Sequence, residues 1–525
     1  MGLPRRRALF VLAGAASAAA LATACSTTPV QPAPAAKPPE SKPADTKPAA
    51  PAAQPAATAA PAAAAAKPAD AKPAAPAAPA PTATTVVDTK ASGTVSGGQI
   101  VKITAWTIGP DAPSFNRRDN LIAAADGLNK ALEKEGSPQR VQVEATFESG
   151  GTWDAYKQKF TLAAEAKQGP DIILSGHEDL APWSTAGYVV ALDDWLKKYE
   201  QQFADVYPTL WPSMKYKGKT YAVPQDAEAR PMYYRKDLLA KLGWPKEKID
   251  GLPDAVKKGE FAWPDLVDTA KEAMSKGVVE NGKGWYGRSA KGFDHYMFYY
   301  QNGGQMQDPD TGKLVIVKDA LEKFFQLHYD AVKTTKITQE NFLGMDGKIW
   351  AETVTSGKVL FANAGTWTWA DWIKTYKVPE QQQWDNVGLT LIPAAQKGGK
   401  PTTLTHPLAY MVTGGSKNQE LAFRLIAAAT TPELNSKHSV GSAHLAILKS
   451  QEKDPTYQQD KFLLGAAYML EYTTFAPNHP KFGSYDEIIF RLLSAVEAGQ
   501  MQSKQAVDVA VGELQSQLKD DLIVK

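Results

Sequence analysis

Three short stretches gather side chains that can hydrogen-bond, carry charge or present an aromatic plane. The first is Gln225-Asp226-Ala227-Glu228-Ala229-Arg230, a charged run between two β-prone segments, Thr220–Val223 and Met232–Tyr234. Acidic and basic groups between apolar strands are costly to bury unless something satisfies them. The run is therefore either an exposed loop or the wall of a binding site. The second is Gly365-Thr366-Trp367-Thr368-Trp369 with Trp372 just beyond, three indoles that cannot all be core. The third is His177-Glu178-Asp179, separated only by Ser175-Gly176 from the apolar run Ile172-Ile173-Leu174. Such groups can bind a polar ligand: carboxylates and guanidinium groups make paired hydrogen bonds, and indoles offer planes for stacking.

Other chemistries lack a signature. The seven histidines, among them His177, His295, His406 and His479, are far apart in sequence. No H-E-x-x-H or His/Cys cluster marks a metal, so neither metal nor cofactor is expected. No G-x-S-x-G elbow or Walker A loop is present, and no catalytic residue is assigned. A glycan hydrolase needs two opposed carboxylates at a controlled separation; Glu178, Asp226, Glu228 and Asp294 are available, but nothing singles out a pair. With 58 basic and 56 acidic residues, charge is nearly balanced and no long basic stripe is visible, which argues against nucleic acid as a partner.

The elements that must position these residues begin late in the chain. Arg5-Arg6-Arg7 precedes an apolar run, Ala8–Leu21, too short for a comfortable membrane span. Leu21-Ala22-Thr23-Ala24-Cys25 follows and resembles a bacterial lipoprotein signal, which implies cleavage before Cys25 and lipidation of it. Arg6-Arg7-Ala8-Leu9-Phe10 also weakly resembles a twin-arginine export signal. Cys25 is the only cysteine, so no disulfide can form within one chain. Residues 26–97 are mainly Ala, Pro, Lys and Thr and bury too little to offset their ordering entropy. They read as a disordered, semi-rigid tether, extended at about 3.1 Å per residue where polyproline II forms.

Beyond the tether the chain is long enough for two or more domains. Strand patterns at Gln99–Trp106, Val141–Phe147 and Pro170–Leu174 alternate with helical patterns at Asn120–Lys134 and Tyr156–Lys167. That order predicts a parallel, doubly wound sheet, with ligands at the carboxyl ends of its strands. Further helices are expected at Trp263–Lys276, Asp319–Val332, Leu421–Ala429, Ile488–Ala498 and Gln505–Leu518, and further strands at Gly357–Phe361 and Val387–Ile392. Lys236–Leu242 reads as a helix with Gly243 as its cap.

Several motifs in order resemble the family 1 extracellular solute-binding proteins of bacterial ABC importers. They are Gly169-Pro170-Asp171-Ile172-Ile173 through His177-Glu178-Asp179 to Gly187-Tyr188 and Leu192, and then Ala222 to Leu239. Asn302-Gly303-Gly304 and Gly357-Lys358 through Trp367-Thr368-Trp369 follow. Leu391-Ile392-Pro393, Ser416 through Ala422, and Pro477-Asn478-His479-Pro480 complete the set. The resemblance implies a bilobal α/β periplasmic-binding-protein fold of type II: two doubly wound lobes joined by hinge crossings near Asp226, Thr403–Thr405 and Lys449. Lobe I would comprise 98–226 and 405–450, and lobe II 227–404 and 451–525.

By that resemblance Glu228 contacts ligand, Trp367 stacks on a sugar ring and Glu178 supplies a second acidic contact; the plain alternative for Glu228 is an ion pair with Arg230. Asp226, Arg230, Trp106, Asp111, Trp153, Phe293, Asp294, Trp369 and Tyr485 complete the candidate site. The implied protein is a monomeric, lipid-anchored, extracytoplasmic receptor that captures a sugar or oligosaccharide by closing its cleft and passes it to ABC permease subunits, doing no chemistry itself. The alternatives are a receptor for a non-sugar or anionic solute (a sugar phosphate, uronate or polyamine), for which Arg230 would matter, and a secreted glycan hydrolase.

Overall fold

The computed structural model describes residues 85–109 and 112–525, so Cys25, most of the tether and Asp111 lie outside the described residues. Its largest sheet has six strands, in spatial order Val86–Ala91, Gln139–Ser149, Gln99–Ile108, Ile172–Gly176, Leu408–Val412 and Val223–Pro224. Gln99–Ile108 runs parallel to both Gln139–Ser149 and Ile172–Gly176, the winding expected from the alternating strand and helix patterns. The helices Asn116–Lys134 and Trp153–Glu165 are its crossovers. The first buries Leu121, Ala124, Ala125, Leu128 and Leu132, residues at the spacing of one helical face.

The sheet is mixed rather than parallel throughout. Leu408–Val412 runs antiparallel to Ile172–Gly176, with Leu408 opposite Gly176 and Val412 opposite Ile172. The chain enters this strand from Thr403–Thr405, at the end where Ile172–Gly176 leaves the sheet, so it must run in the opposite sense. Every residue of both strands is buried, which explains their unbroken apolar sequences.

Val86–Ala91 corrects the expected extent of the tether. It pairs antiparallel with Gln139–Ser149, from Val86 opposite Ser149 to Ala91 opposite Glu144. Val86-Val87-Asp88-Thr89 restores β-branched residues to the Ala/Pro background, and the buried Arg118 guanidinium pairs with Asp88 at 2.7 Å.

The second sheet has four strands, in order Val387–Thr390, Met232–Arg235, Phe361–Asn363 and Trp285–Tyr286. Met232–Arg235 is antiparallel to both neighbours, and Phe361–Asn363 is parallel to Trp285–Tyr286. The strand expected at Gly357–Phe361 begins only at Phe361. Gly357, at φ +76°, ends the turn that follows the helix Gly347–Thr355, and the next residues return the chain to the sheet.

A hairpin joins Lys215–Tyr216 to Lys219–Thr220, with Lys217 and Gly218 both at positive φ, as a tight two-residue turn demands. Gly243, at φ +97°, caps Lys236–Lys241. Among the described residues, no helix is long and apolar enough to cross a membrane.

Candidate functional site

A cavity of about 580 Å³ opens where segments following the strands of both sheets meet. From the six-stranded sheet come Glu178 and Asp179, just after Ile172–Gly176, together with Leu408, Trp153, Asp154 and Lys157. From the four-stranded sheet come Arg288 and Phe293, after Trp285–Tyr286, and Trp367, after Phe361–Asn363. Glu228, Arg230, His406 and His444 lie on the connecting segments, and His479 and Phe482 face them.

The backbone fixes one corner. Thr366 N–H donates to Ala229 O at 3.0 Å, which sets Trp367 beside Arg230; Arg230 N–H in turn donates to Thr403 Oγ1 at 2.7 Å. The Arg230 guanidinium lies 4.5 Å from the centre of the indole. Gly365 is required here, because a Cβ at that position would overlap the Trp367 ring. Arg230 also pairs with Glu228, and its Nε lies 3.2 Å from Asp294. Burial pushes the Glu228 carboxyl up against the pull of Arg230, whereas Arg230 and Arg288 overcome the burial of Asp294 and hold its carboxyl down.

The opposite wall is a second polar knot. Lys157 Nζ lies 2.6 Å from Glu178 Oε1 and 2.9 Å from Asp179 Oδ2, and His406 Nε2 lies 2.6 Å from Glu178 Oε2. Burial raises Asp179 to about 6. For Glu178 burial is outweighed by His406 and Lys157, so its carboxyl sits well below the usual range. Gly176 again makes room, since a Cβ there would overlap the Glu178 carboxylate.

Each cation on the cavity wall has an acidic partner. Arg117 bonds Asp226 at 2.8 Å, Lys157 and Arg230 are held as described, Arg288 lies 3.6 Å from Asp294, and Lys291 lies 2.9 Å from Glu487. The wall therefore offers donors and acceptors in fixed positions, without an uncompensated positive site for an anion. Trp153, Phe293, Trp367 and Phe482 add flat apolar surface, with Phe293 and Phe482 stacked at 5.7 Å.

Of the residues singled out in the sequence, Glu228, Arg230, Trp367, Glu178, Trp153, Phe293 and Asp294 line the cavity. The ion pair with Arg230 is present, and the pair itself lines the cavity. Four others lie elsewhere. Asp226 is consumed by the frame: it accepts from Arg117 and, at 2.9 Å, from Leu408 N–H, with His438 and His444 nearby. Trp369 is core, stacked on Phe462 at 4.7 Å. Trp106 sits on its strand under Lys159, 4.7 Å from the ring. Tyr485 is buried behind Phe482 and donates its hydroxyl to Val315 O.

Sequence reasoning missed Arg117, Lys157, Arg288, His406, His444 and Phe482, all of which sit on helices or connections with no local motif. The histidines, scattered in sequence, converge in space. His177 and His406 have ring centres 5.2 Å apart, His438 and His444 5.0 Å, and His295 and His328 5.7 Å.

Comparison with known proteins finds a match of residues 119–435, more than half of the chain, to the family model described as bacterial extracellular solute-binding protein. A putative binding protein of Brucella abortus (strain 2308) is 23% identical over 395 residues, covering 75% of this chain and 89% of the relative. The galactooligosaccharide-binding protein of Bacillus subtilis (strain 168) is 23% identical over 312 residues, covering 57% and 66%. Among solved structures, the GacH receptor of Streptomyces glaucescens GLA.O, studied unliganded and with acarbose, superposes with a TM-score of 0.61 at 20% identity. It covers 80% of this chain and 99% of its own.

Proposed function

From the premise that this chain belongs to the bacterial extracellular solute-binding protein family and has its two-lobe α/β fold, we propose that it captures an uncharged sugar or oligosaccharide in the cleft lined by Glu228 and Trp367 and delivers it to an ABC permease. The observation that carries this reading is the composition of the wall: aromatic planes beside carboxylate–guanidinium pairs that already neutralise one another. A sugar hydroxyl both donates and accepts, so it inserts into such a pair without leaving a buried charge unmatched. A phosphate or uronate would have to displace Glu228 or Asp294 from Arg230 and leave that carboxylate unpaired. The relatives' names agree, one being a galactooligosaccharide-binding protein and another a receptor studied with acarbose.

The work is binding. Residues 86–226 with 405–450 form one lobe and 227–404 with 451–525 the other, and a solute that touches both favours the closed state in proportion to its differential affinity. Cys25 carries the lipid, and the Ala/Pro-rich segment before Val86–Ala91 spaces the folded body from the membrane surface. Thermal-shift screening tests the reading, since a ligand that binds only the folded state adds stability by mass action. Neutral oligosaccharides are expected to raise Tm and sugar phosphates or uronates to leave it unchanged. Stabilisation by the anionic set alone would overturn the proposal, and release of new reducing ends from polysaccharide would point to a hydrolase instead.

A further inference from the structure

His177, Glu178 and His406 form a cluster that sugar binding does not explain. The sheet itself brings them together. Leu408 pairs with Gly176, and His177 N–H donates to Pro407 O at 3.2 Å, so the residues just outside that pair, His177 and His406, must be neighbours. One donor atom from each of the three side chains lies within 4.8 Å of the others. Glu178 and His406 face the cavity, while His177 stands fully buried behind them.

The protonation of His177 can be read from its partner. Asn478 donates through Nδ2 to Ser213 O at 2.7 Å and to Lys215 O at 3.0 Å, which fixes its Oδ1 as the acceptor facing His177 Nδ1 at 2.8 Å. The ring proton is therefore on Nδ1, and Nε2 presents a lone pair. That atom is buried and has no hydrogen-bond partner among the described residues. A buried acceptor left unmatched is costly, and an imidazole whose other nitrogen donates to a fixed carbonyl is the usual form of a metal-ligating histidine.

The structure assigns to His177, Glu178 and His406 a site for a divalent first-row transition metal, with zinc the ion its two-imidazole, one-carboxylate donor set suits best. His177 Nε2, Glu178 Oε2 and His406 Nε2 are the ligands. Lys157 holds the other Glu178 oxygen and stays in place. The metal replaces the proton that His406 shares with Glu178, and that proton leaves to solvent. The fourth position faces the cavity, open to water or to an oxygen of the solute.

The second such cluster, Asp226, His438 and His444, is a useful contrast. There the Arg117 guanidinium lies 2.8 Å from Asp226 and 3.3 Å from His444, so a fixed cation already fills the position.

The test is a calorimetric titration of the chelator-stripped full chain with zinc chloride, without any sugar, in two buffers of different protonation enthalpy. One zinc per chain with net proton release is expected. His177→Ala and His406→Ala should each weaken binding at least tenfold, and His438→Ala should leave it unchanged. No stoichiometric binding, or equal binding by all three variants, would overturn the assignment. Should a histidine variant fail to fold, the wild-type chain loaded with cobalt(II) decides: its X-ray absorption must show two imidazoles, and a shell without them excludes the site. Repeating the sugar screen in chelator separates this inference from the sugar reading, because either can then fail alone.

Discussion

Asp226 and Glu228 sit two residues apart on one extended segment, both almost fully buried, and the structure uses them in opposite ways. Asp226 accepts from Arg117 and from Leu408 N–H, with two histidines beside it, and His444 and Arg117 overcome its burial to hold it far below the usual carboxylate range. Glu228 lines the cavity, shares Arg230 with Asp294, and is pushed up by burial. His444 lies between them, 3.7 Å from one carboxylate and 3.9 Å from the other. A carboxylate whose hydrogen bonds are all met by the frame is architecture; one whose partner is itself shared remains available to a ligand.

Substitutions at the two positions should therefore fail differently. Asp226→Asn leaves Arg117 buried without its counter-charge and is expected to cost about 3–5 kcal/mol of stability, measured by urea unfolding, while sugar affinity of the folded fraction persists. Unchanged stability would erase the distinction. The frame on the far side of Asp294 also sets acid sensitivity. His295 Nε2 faces Ala290 O, with Asp294, Arg288 and His328 around the ring, and burial lowers it to about 4. The unfolded chain binds that proton near pH 6.5, so stability is full above 6.5 and is lost as pH falls toward 4. The loss amounts to about 3 kcal/mol, and His295→Gln should remove that part of the acid sensitivity in unfolding curves compared at the two pH values.

On the cavity side the effects are smaller and fall on affinity. Glu228→Gln should weaken sugar binding by about 1.5–3 kcal/mol, roughly tenfold to a hundredfold by calorimetry, with little change in Tm. Trp367→Ala is expected to weaken it about tenfold, whereas Trp369→Ala, two residues on, should act on stability instead, by about 3–5 kcal/mol. If both tryptophans behaved alike, the division between wall and core would be wrong.

How much of this the sequence revealed follows the range of the forces involved. Long helices were legible because burying one face imposes a local period, as Leu121, Leu128 and Leu132 show. The indoles around Trp367 and the charged run around Glu228 pointed to the cavity because clustered aromatic planes and buried charge leave local traces. The reversed strand Leu408–Val412 and the partners of Asp226 did not, since they depend on where distant segments cross. The same holds for the histidine pairs. His177 and His406 are distant in sequence, and only the strand register makes them neighbours. The strand Val86–Ala91 was hidden by the composition of its neighbours, although its own residues are β-branched.

The most direct trial is a crystal structure grown with whichever neutral sugar gives the largest thermal shift. A sugar ring lying on the Trp367 indole with a hydroxyl on the Glu228 carboxylate is the result expected here. A sugar bound outside this cleft, or a cleft that fills only with an anion on Arg230, would contradict it.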